Sequence, residues 1–148
     1  MTGAVDRRKL TDVWKENGIT KNVEYAVLTN EIYQAWSGMK ASEYKEFKWI
    51  RKESLRDNMT DIEVALTDLG EIATRELAKK HRPYGLEQNK EIAKRGGKIA
   101  KNTRDNLEEE LEESVISNKN ALSYKYLDSN KLDKKKLAKA KENDNNMK

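Results

Sequence analysis

Between residues 44 and 52 aromatic and cationic side chains alternate almost one for one: Tyr44, Lys45, Phe47, Lys48, Trp49, Arg51 and Lys52. Rings stack on bases and cationic groups neutralise phosphates, so this mixture is what a single-strand nucleic-acid surface uses, with cation–π attraction added where charge and ring are close. The same residues also fit a partner-binding protein surface. The plainer reading is an ordinary helix, with Tyr44, Phe47 and Ile50 at steps of three on a buried face and the lysines on its solvated back.

A second candidate lies further on. Lys90, Lys94, Lys98 and Lys101 fall at i, i+4, i+8 and i+11 of one helical stripe, with Arg95 and Arg104 beside it. A stripe of this kind contacts successive phosphates, with an affinity that falls steeply with salt. Against that, an exposed helix carries charge opposite its apolar face in any case, and Glu87, Glu91 and Asp105 dilute this one.

Catalytic chemistry has little to work with. His81 is the single histidine and sits among Lys79, Lys80 and Arg82, where a surface or capping role is the simpler reading. There is no cysteine, so no thiol nucleophile, disulfide or thiolate metal site exists. Glu71 and Glu76, five apart on one helix, cannot face each other, and Gly96-Gly97 matches no phosphate-loop pattern. The expectation is a binding or regulatory protein without catalytic residue, metal or cofactor.

The elements that must position these side chains are helical. Thr60 and Glu63 form a capping box, and Ile62, Ala65, Leu66, Leu69, Ile72, Ala73 and Leu77 recur every three or four residues, predicting a helix to about Lys80 with that stripe inward. Asp61, Glu63, Thr67, Asp68, Glu71, Arg75, Glu76 and Lys79 fall on the opposite face, and Pro83 ends the run. Before it come a helix over 6–17 with Trp14 in the core, a second over 23–36 whose apolar surface is wide enough to meet partners on more than one side, and a shorter third from Ser42. After it, a long helix over 87–113 contains Gly96-Gly97, which either admits another helix backbone closely or breaks the segment in two. Val115 and Ile116 make a short apolar patch suited to tucking against the core.

The fold expected is therefore all-α, a compact bundle of about four to six helices over 1–127, followed by a Lys-rich tail over 128–148 that is too polar to order itself. Of 148 residues 36% are hydrophobic and 38% charged, so the core is small. The net charge of +4 is mostly the tail's, where seven lysines face four acids, and the body is close to neutral. Without a long apolar run or an apolar leader, a soluble cytoplasmic protein is expected, with no membrane partner. The wide face of the second helix raises the expectation of a homodimer.

Several blocks carry a resemblance. Residues 24–33 (EYAVLTNEIY) with Ser37-Gly38-Met39, residues 54–63 (SLRDNMTDIE), residues 92–100 (IAKRGGKIA) and residues 114–117 (SVIS) resemble the C-terminal region of bacterial and prophage proteins that carry an N-terminal BRO domain, described as antirepressors or as similar to DNA-damage-inducible protein D. Residues 6–11 with Trp14-Lys15 are similar to the linker helix before that region. The resemblance implies a phage or mobile-element origin and a role in prophage regulation or the DNA-damage response, through a host or phage protein or, alternatively, through DNA. The BRO domain itself, to which that family's DNA binding is assigned, has no counterpart in this sequence.

Overall fold

The structure, a computed structural model, describes residues 2–122. Among these residues the chain is all-α: α1 (Thr2–Glu16), α2 (Asn22–Ser37), α3 (Ala41–Phe47), a 3-10 turn (Arg56–Asn58), α4 (Asp61–His81) and α5 (Gly85–Leu111), with no strand. The tail expected over 128–148 lies outside the described residues.

Helix starts follow from carboxylates that reach back to the preceding turn. The Thr60 hydroxyl accepts from the Glu63 N–H at 3.1 Å, and Glu63 Oε1 accepts from the Thr60 N–H at 2.9 Å, which is the capping box read from the sequence. Glu24 and Glu43 accept from the N–H groups of Lys21 (3.1 Å) and Lys40 (2.8 Å) in the same way. The third helix is therefore capped at Lys40 and begins at Ala41, one residue before the expected Ser42.

Close approach of α5 to its neighbours organises the rest. A Cβ on Gly96 would fall on the Thr74 side chain and 2.7 Å from its Cα; one on Gly97 would stand 2.5 Å from Ala35 Cβ and 2.9 Å from the Ile32 carbonyl oxygen. Both glycines are contact points between backbones, one against α4 and one against α2, and α5 runs unbroken through them. The alternative of a helix break is thereby excluded.

That closeness rotates α4 away from the expected orientation. Its buried residues are Glu63, Leu66, Thr67, Gly70, Glu71, Thr74 and Ala78, while Ile62 and Ala65 are exposed and Leu69, Ile72, Ala73 and Leu77 only half-buried. Where two helix backbones nearly touch, only small residues fit between them, so Gly70, Thr74 and Ala78 take the seam and the larger aliphatic residues flank it. Glu63, Thr67 and Glu71, expected outward, are inside because each finds a polar partner there: Tyr44 and Lys48, the Glu63 carbonyl (2.9 Å), and Arg7 (3.0 Å).

The apolar core joins Leu10, Trp14, Ile19, Leu28, Ile32, Trp36 and Tyr44, all at most 2% exposed. α2 meets α3, α4 and α5, so the wide surface that suggested a second copy is used within one chain.

Candidate interaction site

The end of α3 is built as a tight helix stop with an unusual occupant. The Trp49 N–H donates to the Glu46 carbonyl and the Ile50 N–H to the Lys45 carbonyl, both at 3.0 Å, the paired bonds of a Schellman motif. The motif needs a left-handed residue at its centre, ordinarily glycine, and here Trp49 takes it with φ 62. Ile50, next in line, is buried, while Trp49 is 83% exposed and Phe47 41%. Arg82 and Glu112 stop α4 and α5 with positive φ as well, but neither presents a ring. Beside Trp49 lies an open cleft of about 810 Å³, lined by Ala41, Ser42, Lys45, Glu46, Ile50 and Arg51.

Two of the residues read as surface contacts are in the interior. Lys48, expected among solvated or partner-binding cations, is wholly buried: its ammonium donates to Glu63 Oε1 at 2.9 Å and to the carbonyls of Ser117 (2.6 Å) and Lys119 (2.8 Å). Tyr44 is equally buried and donates its hydroxyl to Glu63 Oε2. Burial, then the hydrogen bond to Glu63 and the Glu63 charge, push the Tyr44 phenol far above its ordinary value, so it remains a donor. The expected inward positions of Tyr44 and Ile50 are found, but Phe47, the last residue of α3, is exposed, and Ile50 is buried although it lies beyond the helix.

With Lys48 withdrawn, charges of both signs remain on either side of Trp49 in the chain. Lys45, Arg51 and Lys52 are interspersed in the sequence with Glu43, Glu46 and Glu53. Glu53 Oε1 accepts from the N–H groups of Arg51 and Lys52 at 3.0 Å each, and the N–H groups of Arg51, of Glu53 itself and of Lys52 hold its carboxyl below the usual range.

The lysine stripe on α5 is partly consumed. Lys90 lies 4.0 Å from Glu87, and Lys101 pairs with Asp105. Arg104 is structural: its guanidinium donates to the Trp36 and Ser37 carbonyls at 3.1 and 3.2 Å, capping α2, and to Glu108 at 3.0 Å. Lys94, Arg95 and Lys98 are exposed and have no ion pair among the described residues.

A buried polar cluster that the sequence did not reveal ties α1, α2, the 3-10 turn and α4. Glu71 meets Arg7 at 3.0 Å and Arg56 at 3.5 Å, and Arg56 also reaches Asp68 at 2.7 Å. Burial raises the Glu71 carboxyl even against both arginines, and burial pushes the neighbouring Tyr33 phenol up to about 12. Each charged group of the cluster has an ion-pair partner within the chain, although Asp68 Oδ1 and Glu71 Oε1 are buried without a hydrogen bond among the described residues, so the cluster reads as scaffold. Among the described residues no group of three or more His, Cys, Asp or Glu is placed to hold a metal ion, and no helix is long and apolar enough to cross a membrane.

No protein-family model, curated protein or solved structure matches this chain.

Proposed function

We propose that this chain is a cytoplasmic interaction module that binds a protein partner through Trp49, with Phe47, Arg51 and Lys52 around it. One observation carries the reading: a tryptophan stands nearly bare where glycine would make the same turn without strain. Strain of this kind persists only where the surrounding structure holds it and clusters at binding and switch regions, and tryptophan is among the side chains enriched at the energetic centre of protein interfaces. The charges of both signs beside it suit an apolar pocket with a mixed polar rim. The resemblance to the region following the BRO domain supports a host or phage regulatory protein as partner, in the manner of an antirepressor or inhibitor.

The test is affinity capture from bacterial and phage-infected lysates with the wild type and Trp49→Gly in parallel. A partner retained by the wild type and lost by the variant supports the proposal; a partner retained equally by both overturns it.

A second reading rests on Lys94, Arg95 and Lys98, three exposed cations with no ion pair among the described residues. Under it the outer face of α5 holds duplex DNA by its phosphates. A mobility shift at low salt that disappears at high salt and in a Lys94→Ala/Lys98→Ala variant supports this reading, and no shift at low salt ends it.

A further inference from the structure

The last described segment is tied to the Trp49 turn. Past α5 the chain reverses at Glu112 (φ 56), and Val115 enters the core at 7% exposure. From there the segment to Ala121 is held largely by its main chain. Lys48 takes the Ser117 and Lys119 carbonyls, the Ser117 N–H donates to Glu63 Oε2 at 3.4 Å, and the Ala121 N–H donates to Asn58 Oδ1 at 2.7 Å. One bond uses a side chain of the segment instead: Asn120 Nδ2 donates at 3.0 Å to the Lys48 carbonyl oxygen.

That carbonyl belongs to the peptide group joining Lys48 to Trp49. Turning the group changes ψ of Lys48 and φ of Trp49 together, so a donor fixed on its oxygen resists any departure of Trp49 from its left-handed conformation. The Lys48 ammonium, anchored to the same segment, restrains the residue from its other end. α3 is only two turns long and cannot hold a strained stop by itself.

We infer that residues 115–121 form a latch that positions Trp49, so that docking of this segment and presentation of the ring to a partner are one coupled equilibrium. With the latch down, Trp49 is preorganised; with it lifted, the turn relaxes and α3 frays from its C-terminal end. Coupling is reciprocal, so a partner seated on Trp49 also holds the latch closed. The consequence for binding rests on the proposed role of Trp49, whereas the coupling is a property of the chain alone.

The experiment therefore uses the full chain without any partner. Amide hydrogen exchange and Cα chemical shifts are followed by NMR in the wild type, in Asn120→Ala, in the near-isosteric Asn120→Asp, which also lacks the donor, and in Asn118→Ala as an exposed neighbour. Both Asn120 variants are expected to raise exchange at Trp49 and Ile50 at least fivefold and to move the Trp49 Cα shift off its left-handed value. Ala93 and Ala100, deep in α5, should stay within twofold of the wild type, as should every site in Asn118→Ala. Unchanged Trp49 and Ile50 exchange in both Asn120 variants overturns the latch, and so does an effect confined to Asn120→Ala, since lost packing rather than the lost bond then explains it. Neither result bears on whether Trp49 binds a partner, which the capture experiment decides separately.

Discussion

Lys48 Nζ lies 2.9 Å from Glu63 Oε1 with both side chains wholly out of water. A carboxylate that caps α4 is thus also the counter-ion of a lysine from the end of α3 and the acceptor for Tyr44. Removing one member of a buried pair leaves the other charged and unsolvated, which costs about 3–5 kcal/mol. Lys48→Met should lose that much in urea unfolding. Adding Glu63→Gln should cost less than the two single changes summed, because the stranded charge is gone. A Lys48→Met loss below about 1 kcal/mol would mean that the ammonium reaches water in solution.

How far the sequence revealed this arrangement can be judged from Thr60, Gly96 and Lys48. The capping box at Thr60 is local, requiring only neighbours three residues apart, and it is present as read. The glycine pair at Gly96 signals a close contact, yet hydrophobic periodicity on α4 weights the aliphatic residues over the matching Gly70, Thr74 and Ala78. Their spacing of four was a usable signal for the true seam. Lys48 had no such signal: its burial depends on carbonyls 69 and 71 residues away, and on a loop whose path no periodicity encodes. The same holds for Arg104, whose acceptors are the last carbonyls of α2. The conformation of Trp49 was likewise hidden, since glycine, the usual mark of such a turn, is missing.

Gly96→Ala separates packing from propensity. In an isolated helix the change would stabilise by about 1 kcal/mol. Here the new Cβ meets Thr74, and the Thr74 Cα and N, each 2.7 Å away, cannot rotate aside. The net effect should be a loss of about 1–3 kcal/mol, not rescued by Thr74→Ala, since the obstructing backbone remains. Urea midpoints of the three variants check it; a gain in stability for Gly96→Ala would show that α4 and α5 stand further apart.

Trp49→Gly should behave in the opposite sense. The ring has little contact to lose, and glycine accepts the left-handed conformation without a Cβ penalty. Stability should rise by about 0.5–1 kcal/mol, read from the thermal or urea midpoint. A variant that is both more stable and unable to retain a partner would separate the residue's service to binding from any service to the fold. A clear loss of stability would instead make Trp49 a packing residue.

Two carboxylates should give stability profiles of opposite slope with pH. Burial works against the charge of Glu108, but the Val115 N–H at 3.0 Å and Arg104 hold its carboxyl below the usual range. A group with a depressed folded pKa contributes stability that is present above its unfolded value, about 4.3 for glutamate, and is lost as pH falls through the folded value. Glu71 is shifted the other way by burial, so its contribution is present below the unfolded value and is lost as pH rises through the folded one. The advantage of the wild type over Glu108→Gln should therefore grow from pH 3 to pH 7, whereas its advantage over Glu71→Gln should shrink over the same range. Urea titrations at four or five pH values decide both slopes. Because Glu108 holds the first residue of the latch, its protonation should also speed exchange at the Val115 amide before α5 itself opens, and equal exchange at Val115 and Ala100 on acidification would detach the latch from this carboxylate.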